Sequence, residues 1–199
     1  MNFAVLASGN GSNLEAIIKA VKARKIKANL AVVISDKADA FALVRARKAK
    51  IPAVVINPKD FLDRETFDHA LVRHLREASV DFIVLAGFMR ILSAHVIRAY
   101  PNKIINVHPA LLPAFKGAHA IKDAFDFGVK ATGVTVHFVD EEVDHGAIIA
   151  QEAVPILPKD TLEKLEKRIH SVEHKIYPKA IGLFAAGKIT VHGRLVRVR

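Results

Sequence analysis

The chain has 199 residues, 51% of them hydrophobic, with thirty Lys and Arg against twenty Asp and Glu and no cysteine. That length and apolar content suit an ordinary globular protein, most simply one domain over residues 1–199, and the missing thiols exclude disulfides and thiolate metal sites. The formal net charge of +10 favours an anionic partner. Nucleic acid is not expected, because aromatic residues do not interleave with the basic ones as a single-strand stacking platform requires. No apolar run reaches the length of a membrane span, and Met1-Asn2 leads straight into a strand-like run without a basic leader, so a cytoplasmic protein is expected.

Phe3-Ala4-Val5-Leu6-Ala7 reads as a strand ending in the loop Ser8-Gly9-Asn10-Gly11-Ser12-Asn13, after which Leu14, Ile17, Ile18 and Val21 recur at helical spacing. A glycine loop feeding a helix start is a natural anion site, because free N–H groups point at the ligand with the helix dipole behind them. A dinucleotide fingerprint competes here, since Gly9-x-Gly11 is followed by a strand from Leu30 to Ser35 ending at Asp36. Its third glycine should fall at position 14, which is Leu14, and the nicotinamide reading weakens accordingly; Asp36 then reads as a surface residue.

Helices are expected over Ala38 to Ala49 and Glu65 to Ala78, with strands at Ala53 to Ile56 and Asp81 to Ala86. This is βαβ alternation with a parallel sheet, whose ligands sit at the carboxyl ends of the strands. Gly87-Phe88-Met89-Arg90-Ile91-Leu92 leaves the fourth strand at such an end as an exposed apolar cluster suited to a flat ring. Ser93 is expected to cap a short helix ending near Tyr100-Pro101.

The run Lys103 to Val107 is a buried strand that delivers Asn106 and His108 to one face where the chain breaks at Pro109. A carboxamide can donate to a developing oxyanion, and an imidazole can move a proton near neutrality. Residues 109–117 form a long loop that could fold over the site, with His119 just beyond it. Thr132 to Val139 alternates, which places His137 on its polar face as a structural partner. The turn Asp140-Glu141-Glu142-Val143-Asp144 then carries four carboxylates in five residues before a strand from Ala147 to Val154. A carboxylate beside His108 would raise the imidazole pKa and favour its charged form.

A long helix from Thr161 is expected to bury Leu162, Leu165, Ile169, Val172 and Ile176, leaving Glu166, His170 and Glu173 on a neighbouring face. His170-x-x-Glu173-His174 fits an inverted zinc-peptidase pattern but lacks the further acidic ligand downstream, so no metal is expected. Val191 to Arg194 reads as a hairpin.

Asn106-x-His108-Pro109 with Leu111-Leu112-Pro113, and Asp144 after Val136-His137-Phe138-Val139, resemble the signature of the folate-dependent formyltransferases over nearly the whole chain. The resemblance implies an α/β, single-domain Rossmann-like formyltransferase fold: a mostly parallel sheet, helices on both faces and an antiparallel C-terminal part. It implies a phosphate-binding N-terminal half and a catalytic, folate-binding C-terminal half. The reaction implied moves the formyl group of 10-formyltetrahydrofolate, as cosubstrate, to the amine of 5′-phosphoribosylglycinamide in purine synthesis, with no metal. The family's catalytic positions fall on Asn106, His108 and Asp144, and its phosphate loop on Gly11, Ser12 and Asn13. Glu173, His170 and His119 are the other ribonucleotide positions, although His170 stands where the family has Gln. The folate positions are Arg64, Met89, Arg90, Ile91, Leu92, Asn106, Asp140, Glu141, Val143 and Asp144. The expected partners are therefore two small molecules, neither nucleic acid nor membrane, with room for a homodimer. Formyl-folate hydrolases and tRNA formyltransferases share the Asn-His-Asp set, yet they are expected to carry an extra N-terminal or C-terminal domain, and Gly117-Ala118-His119 looks more like the ribonucleotide-directed branch. A non-catalytic nucleotide binder would use only Gly9 to Asn13.

Overall fold

The computed structural model describes residues 1–199, and its elements follow the alternation expected from hydrophobic periodicity. Strand β1 (Asn2–Leu6) leads to α1 (Ser12–Lys22), β2 (Asn29–Ser35), α2 (Phe41–Lys48), β3 (Ala53–Val55), α3 (Arg64–Glu77) and β4 (Phe82–Leu85). Helix α4 (Ala94–Ala99), β5 (Ile104–His108), α5 (Ala120–Phe127), β6 (Ala131–Phe138), β7 (Ile148–Pro155) and α6 (Leu162–Ala185) follow, and β8 (Ile189–His192) with β9 (Leu195–Val198) closes the chain. Seven strands form one sheet in the order β3-β2-β1-β4-β5-β6-β7, and β8-β9 is a separate hairpin. Strands β1 to β5 pair in parallel, whereas β6 joins β5 and β7 joins β6 antiparallel, as the antiparallel C-terminal part requires.

Strand periodicity divides the core into two. Phe3, Val5 and Ala7 of the β1 segment and Phe82, Val84 and Ala86 of the β4 segment face a cluster shared with α1 and α6. Ala4 and Leu6, with Ile83 and Leu85, face the opposite cluster under α3 and α4. Helices therefore cover both faces, and the sheet's ligand-binding end lies where the chain departs from β1 to one side and returns through β4 on the other. At that point the Ser8 N–H donates to the Gly87 carbonyl at 3.0 Å, and Ser8 Oγ accepts from the Met89 N–H at 2.9 Å.

Four local expectations are corrected. Leu92 is only 5% exposed and packs in the α3–α4 core, because the chain after Ile91 dives under the sheet edge to start α4. Ser93 precedes α4 without capping it: its hydroxyl has no partner, and its N–H donates to the buried carboxylate of Asp68 at 3.1 Å. Asp36 is buried rather than on the surface, with Oδ1 unpartnered. Glu173 is buried too, since α6 packs against α1 on the side that carries it.

Tyr177 of α6 ties the helix to the sheet. Its fully buried hydroxyl lies 2.8 Å from the Leu85 carbonyl and 2.9 Å from the Ile105 carbonyl, so one proton serves two acceptors on the neighbouring strands β4 and β5. Burial pushes its phenol well above the ordinary range, and it stays a donor throughout. Tyr177→Phe keeps the ring and removes the donor, and is expected to lower the unfolding free energy by about 1–3 kcal/mol in urea titrations.

Candidate active site

Asn106 and His108 alternate along β5 and so share a face, and the antiparallel register sets His137 of β6 opposite Asn106 and Thr135 opposite His108. Asn106 Nδ2 lies 3.1 Å from His137 Nε2, while His137 Nδ1 lies 2.7 Å from the Phe138 carbonyl. A carbonyl only accepts, so His137 carries its proton on Nδ1 and receives the Asn106 amide on Nε2. One amide hydrogen of Asn106 is thereby committed and the other is left free. His137 is only 2% exposed and shares its face of β6 with Thr135, where it is the hydrogen-bond partner of Asn106.

Asp144 arrives from the β6–β7 connection. Its Oδ2 lies 3.3 Å from His108 Nδ1 and accepts the Gly117 N–H at 2.9 Å; its Oδ1 lies 3.7 Å from His137 Nε2. The sequence separates His108 and Asp144 by 36 positions, and the fold brings them together at 5% and 10% side-chain exposure. Asp144 holds φ at 50°, a left-handed backbone that costs an L residue about 1–2 kcal/mol. Gly146 fixes the exit of that turn: a Cβ there would lie 1.9 Å from the Phe138 carbonyl oxygen.

Burial alone would raise the Asp144 carboxyl, but the hydrogen bond from the Gly117 N–H, with the two imidazoles nearby, holds it below its ordinary value. For His108 the balance runs the other way. Burial pushes its imidazole down, and this outweighs the attraction of Asp144. The expectation that Asp144 would keep His108 charged is therefore corrected: at rest the carboxylate is ionised and the imidazole leans to neutral. Yet His108 has an acceptor at each nitrogen, the Phe115 carbonyl at 2.8 Å from Nε2 and Asp144 at Nδ1. A second proton on the ring, once delivered, meets a matched partner on both sides.

The loop between β5 and α5 is pinned at both ends. Thr135 Oγ1 donates to the Ala110 carbonyl at 2.6 Å and accepts from the Leu112 N–H and from Gln151, and the loop's tip rests on His108 through Phe115 and on Asp144 through Gly117. It does fold over the site. His119 stands exposed at the start of α5 and makes no capping bond.

The loop after β1 builds a second centre. Gly11 has φ 75°, and a Cβ there would sit 2.8 Å from Cα of Ala42, so only glycine fits; Gly9 has open space. The N–H groups of Ser12 and Asn13 open α1 without intrahelical partners. Asn13 Nδ2 donates to Glu173 Oε2 at 2.8 Å, and His170 Nδ1 approaches the same oxygen at 2.9 Å. The hydrogen bond with Glu173 raises the His170 pKa. Asn13 Oδ1 is buried without a partner. Thus α6 meets the glycine loop through Glu173, and of the His170-x-x-Glu173-His174 residues His170 and Glu173 bond each other there while His174 Nε2 is buried without a partner.

The remaining positions flank the crevice. Met89, Ile91 and Val143 are exposed at 66%, 62% and 46%, and the Arg90 guanidinium lies over the Phe67 ring at 4.5 Å. Arg64 lines an open groove between α3 and α4 with Arg76, His95 and Arg98. Asp140 bonds His145 at 2.9 Å, and Glu141 pairs with Arg98 at 3.4 Å. Leu92, being buried, can present only its backbone to the crevice.

The chain matches the formyl transferase family over residues 1–181. It belongs to that family. A phosphoribosylglycinamide formyltransferase from Bacillus subtilis is 48% identical over 90% of this chain and 92% of its own length. The trifunctional purine biosynthetic protein adenosine-3 of Drosophila pseudoobscura is 52% identical over 94% of this chain, which spans only 14% of that protein. The crystal structure of glycinamide ribonucleotide transformylase 1 from Symbiobacterium toebii superposes with a TM-score of 0.97 at 47% identity, covering all of this chain and 93% of that one. The formyl transferase fold expected from the sequence is the fold observed, and no helix is long and apolar enough to cross a membrane.

The two loop glycines separate steric need from mere looseness. Gly11→Ala is expected to cost about 2 kcal/mol or more, because it combines a positive φ with backbone overlap, whereas Gly9→Ala should stay within about 1 kcal/mol; chemical denaturation of both variants measures the difference.

Proposed function

We propose that the chain transfers the formyl group of 10-formyltetrahydrofolate to the amine of 5′-phosphoribosylglycinamide, releasing tetrahydrofolate and formylglycinamide ribonucleotide. The observation that carries this reading is the buried set of Asn106, His108, His137 and Asp144 at the end of β5, facing a crevice whose far wall is the glycine loop. The names of relatives matched over most of this chain support it. Gly11, Ser12 and Asn13 take the phosphate, with Glu173, His170 and His119 toward the rest of the ribonucleotide. The folate lies against Met89, Ile91, Val143 and the backbone at Leu92, with Arg64, Arg90, Asp140 and Glu141 around it. The N-terminal half thus holds the phosphate and the apolar side of the folate site, and the C-terminal half supplies the chemistry and the acidic turn beside the folate.

The reaction exchanges one C–N bond for another. The amine attacks the formyl carbon, the carbonyl oxygen becomes an oxyanion, and the bond to folate N10 breaks once N10 is protonated. The uncommitted amide hydrogen of Asn106 stabilises the oxyanion, and losing such a donor costs about 3–4 kcal/mol of barrier. Asp144, ionised at rest, draws the proton shed by the attacking amine. His108, resting neutral, takes that proton and delivers it to N10, so Asp144 is left ionised and stabilises the imidazolium meanwhile. The Phe115 carbonyl occupies Nε2 of His108, so substrate binding exchanges that bond for one to the substrate.

The test is spectrophotometric release of tetrahydrofolate from its 10-formyl form with phosphoribosylglycinamide, with water alone, and with initiator tRNA. Release that requires phosphoribosylglycinamide is expected. Release with water alone, only with tRNA, or in no mixture contradicts the reading. In the same assay Asn106→Ala, His108→Ala and Asp144→Ala should each lower kcat by about 100-fold or more while folate affinity changes little.

A further inference from the structure

The turn that carries Asp144 is fastened from outside the main sheet. Residues 193 and 194 form the tip of the β8–β9 hairpin, and from there Arg194 Nη2 donates to the His145 carbonyl at 2.8 Å while Nη1 lies 2.8 Å from His145 Nε2. A guanidinium has no lone pair to offer, so Nε2 is the acceptor and the ring proton resides on Nδ1. That proton meets Asp140 Oδ2 at 2.9 Å. The imidazole therefore joins Asp140, at the start of the turn, to the hairpin, and the guanidinium also grips the backbone of the residue directly after Asp144.

That grip falls where the backbone needs it. Asp144 sits at φ 50°, and on its own side only the Gly117 N–H and the His108 and His137 rings restrain the carboxylate. Val143 and Glu142 on the other flank are exposed, and the Glu142 N–H donates back to Asp140 within the turn. Without the hairpin the acidic turn is held by its own members, by the exposed Glu141–Arg98 pair and by the Gly117 N–H of the loop after β5.

We propose that Arg194 is a positioning residue for formyl transfer, acting through His145 to hold residues 140–146 so that Asp144 meets His108 and Asp140 and Val143 form one wall of the folate site. This rests on the reading above, in which Asp144 acts in the transfer and the turn borders the folate. Arg194 touches neither substrate in this account, and its effect passes wholly through the turn.

The test uses the full chain and two readouts, amide hydrogen exchange over residues 140–146 and steady-state kinetics, on Arg194→Ala, Arg194→Lys, His145→Ala and the double alanine variant. Losing two charge-assisted hydrogen bonds should speed exchange in 140–146 by about tenfold or more in Arg194→Ala, with the core amides of β6 and β7 unchanged. Arg194→Lys, whose ammonium replaces one of the two bonds, should lie between, and the double variant should exchange no faster than the faster single one. In the assay kcat/KM for the formyl folate should fall about tenfold while KM for the ribonucleotide holds, a split that general destabilisation would not give. Unchanged exchange in the turn, or a rise shared equally by β6 and β7, overturns the clamp; a loosened turn with unaltered kcat/KM overturns its positioning role. A wild-type chain without formyl transfer overturns the functional reading and the positioning role with it, while exchange alone still decides the clamp.

Discussion

A carboxylate and an imidazole withdrawn from water at the end of one strand constrain the rest of this structure. An ionised carboxyl buried without partners would cost several kcal/mol and would neutralise instead. Asp144 escapes that outcome only because a backbone N–H and two histidines are aimed at it. Each of those groups comes from a different segment: the loop after β5, β5 itself and β6. The ion thus requires that sheet order, loop path and antiparallel register all be correct at once. The same burial denies His108 its charge at rest, so the two members of the pair are pulled apart in proton affinity rather than matched. Groups separated in this way suit a reaction in which one must take a proton and another must first receive one.

The sheet supplies the surroundings. Reversal of strand order between β1 and β4 opens the crevice, and Ser8 stitches its two sides together through Gly87 and Met89. Helix α6 crosses beneath, contributing Tyr177 to the carbonyls of β4 and β5 and Glu173 to the glycine loop. One helix therefore links the glycine loop to the strand that bears Asn106 and His108 and fixes the distance between them. The hairpin adds a third brace at Arg194.

Much of this was legible in the residues themselves. Glycines at 9 and 11 before a helical stripe, a five-residue apolar strand ending in Asn-x-His, and a crowded acidic turn before a strand each carry local constraints that a sequence states directly. What escaped was non-local. His137 lies opposite Asn106 only because β6 pairs antiparallel in one register, and a slip of one residue would turn it to the other face. Glu173 faces Asn13 across 160 positions, and helical periodicity could not say which side of α6 another helix would cover. Leu92 and Asp36 end strands or loops, where a one-residue change in path decides between surface and core. The balance at His108 depended on degree of burial, a quantity no spacing contains: the upward pull of Asp144 was expected, and the larger downward push of burial was not.

That balance is open to direct measurement. A pH titration of the His108 ring by NMR, in the wild-type chain and in Asp144→Asn, reads the proton affinity that the proposed chemistry depends on. The account predicts a wild-type midpoint below the ordinary 6.5, where burial outweighs the carboxylate, and a further downward move in Asp144→Asn, where the opposing attraction is gone. A wild-type midpoint above 6.5, or an upward move on removing the carboxylate charge, would contradict it.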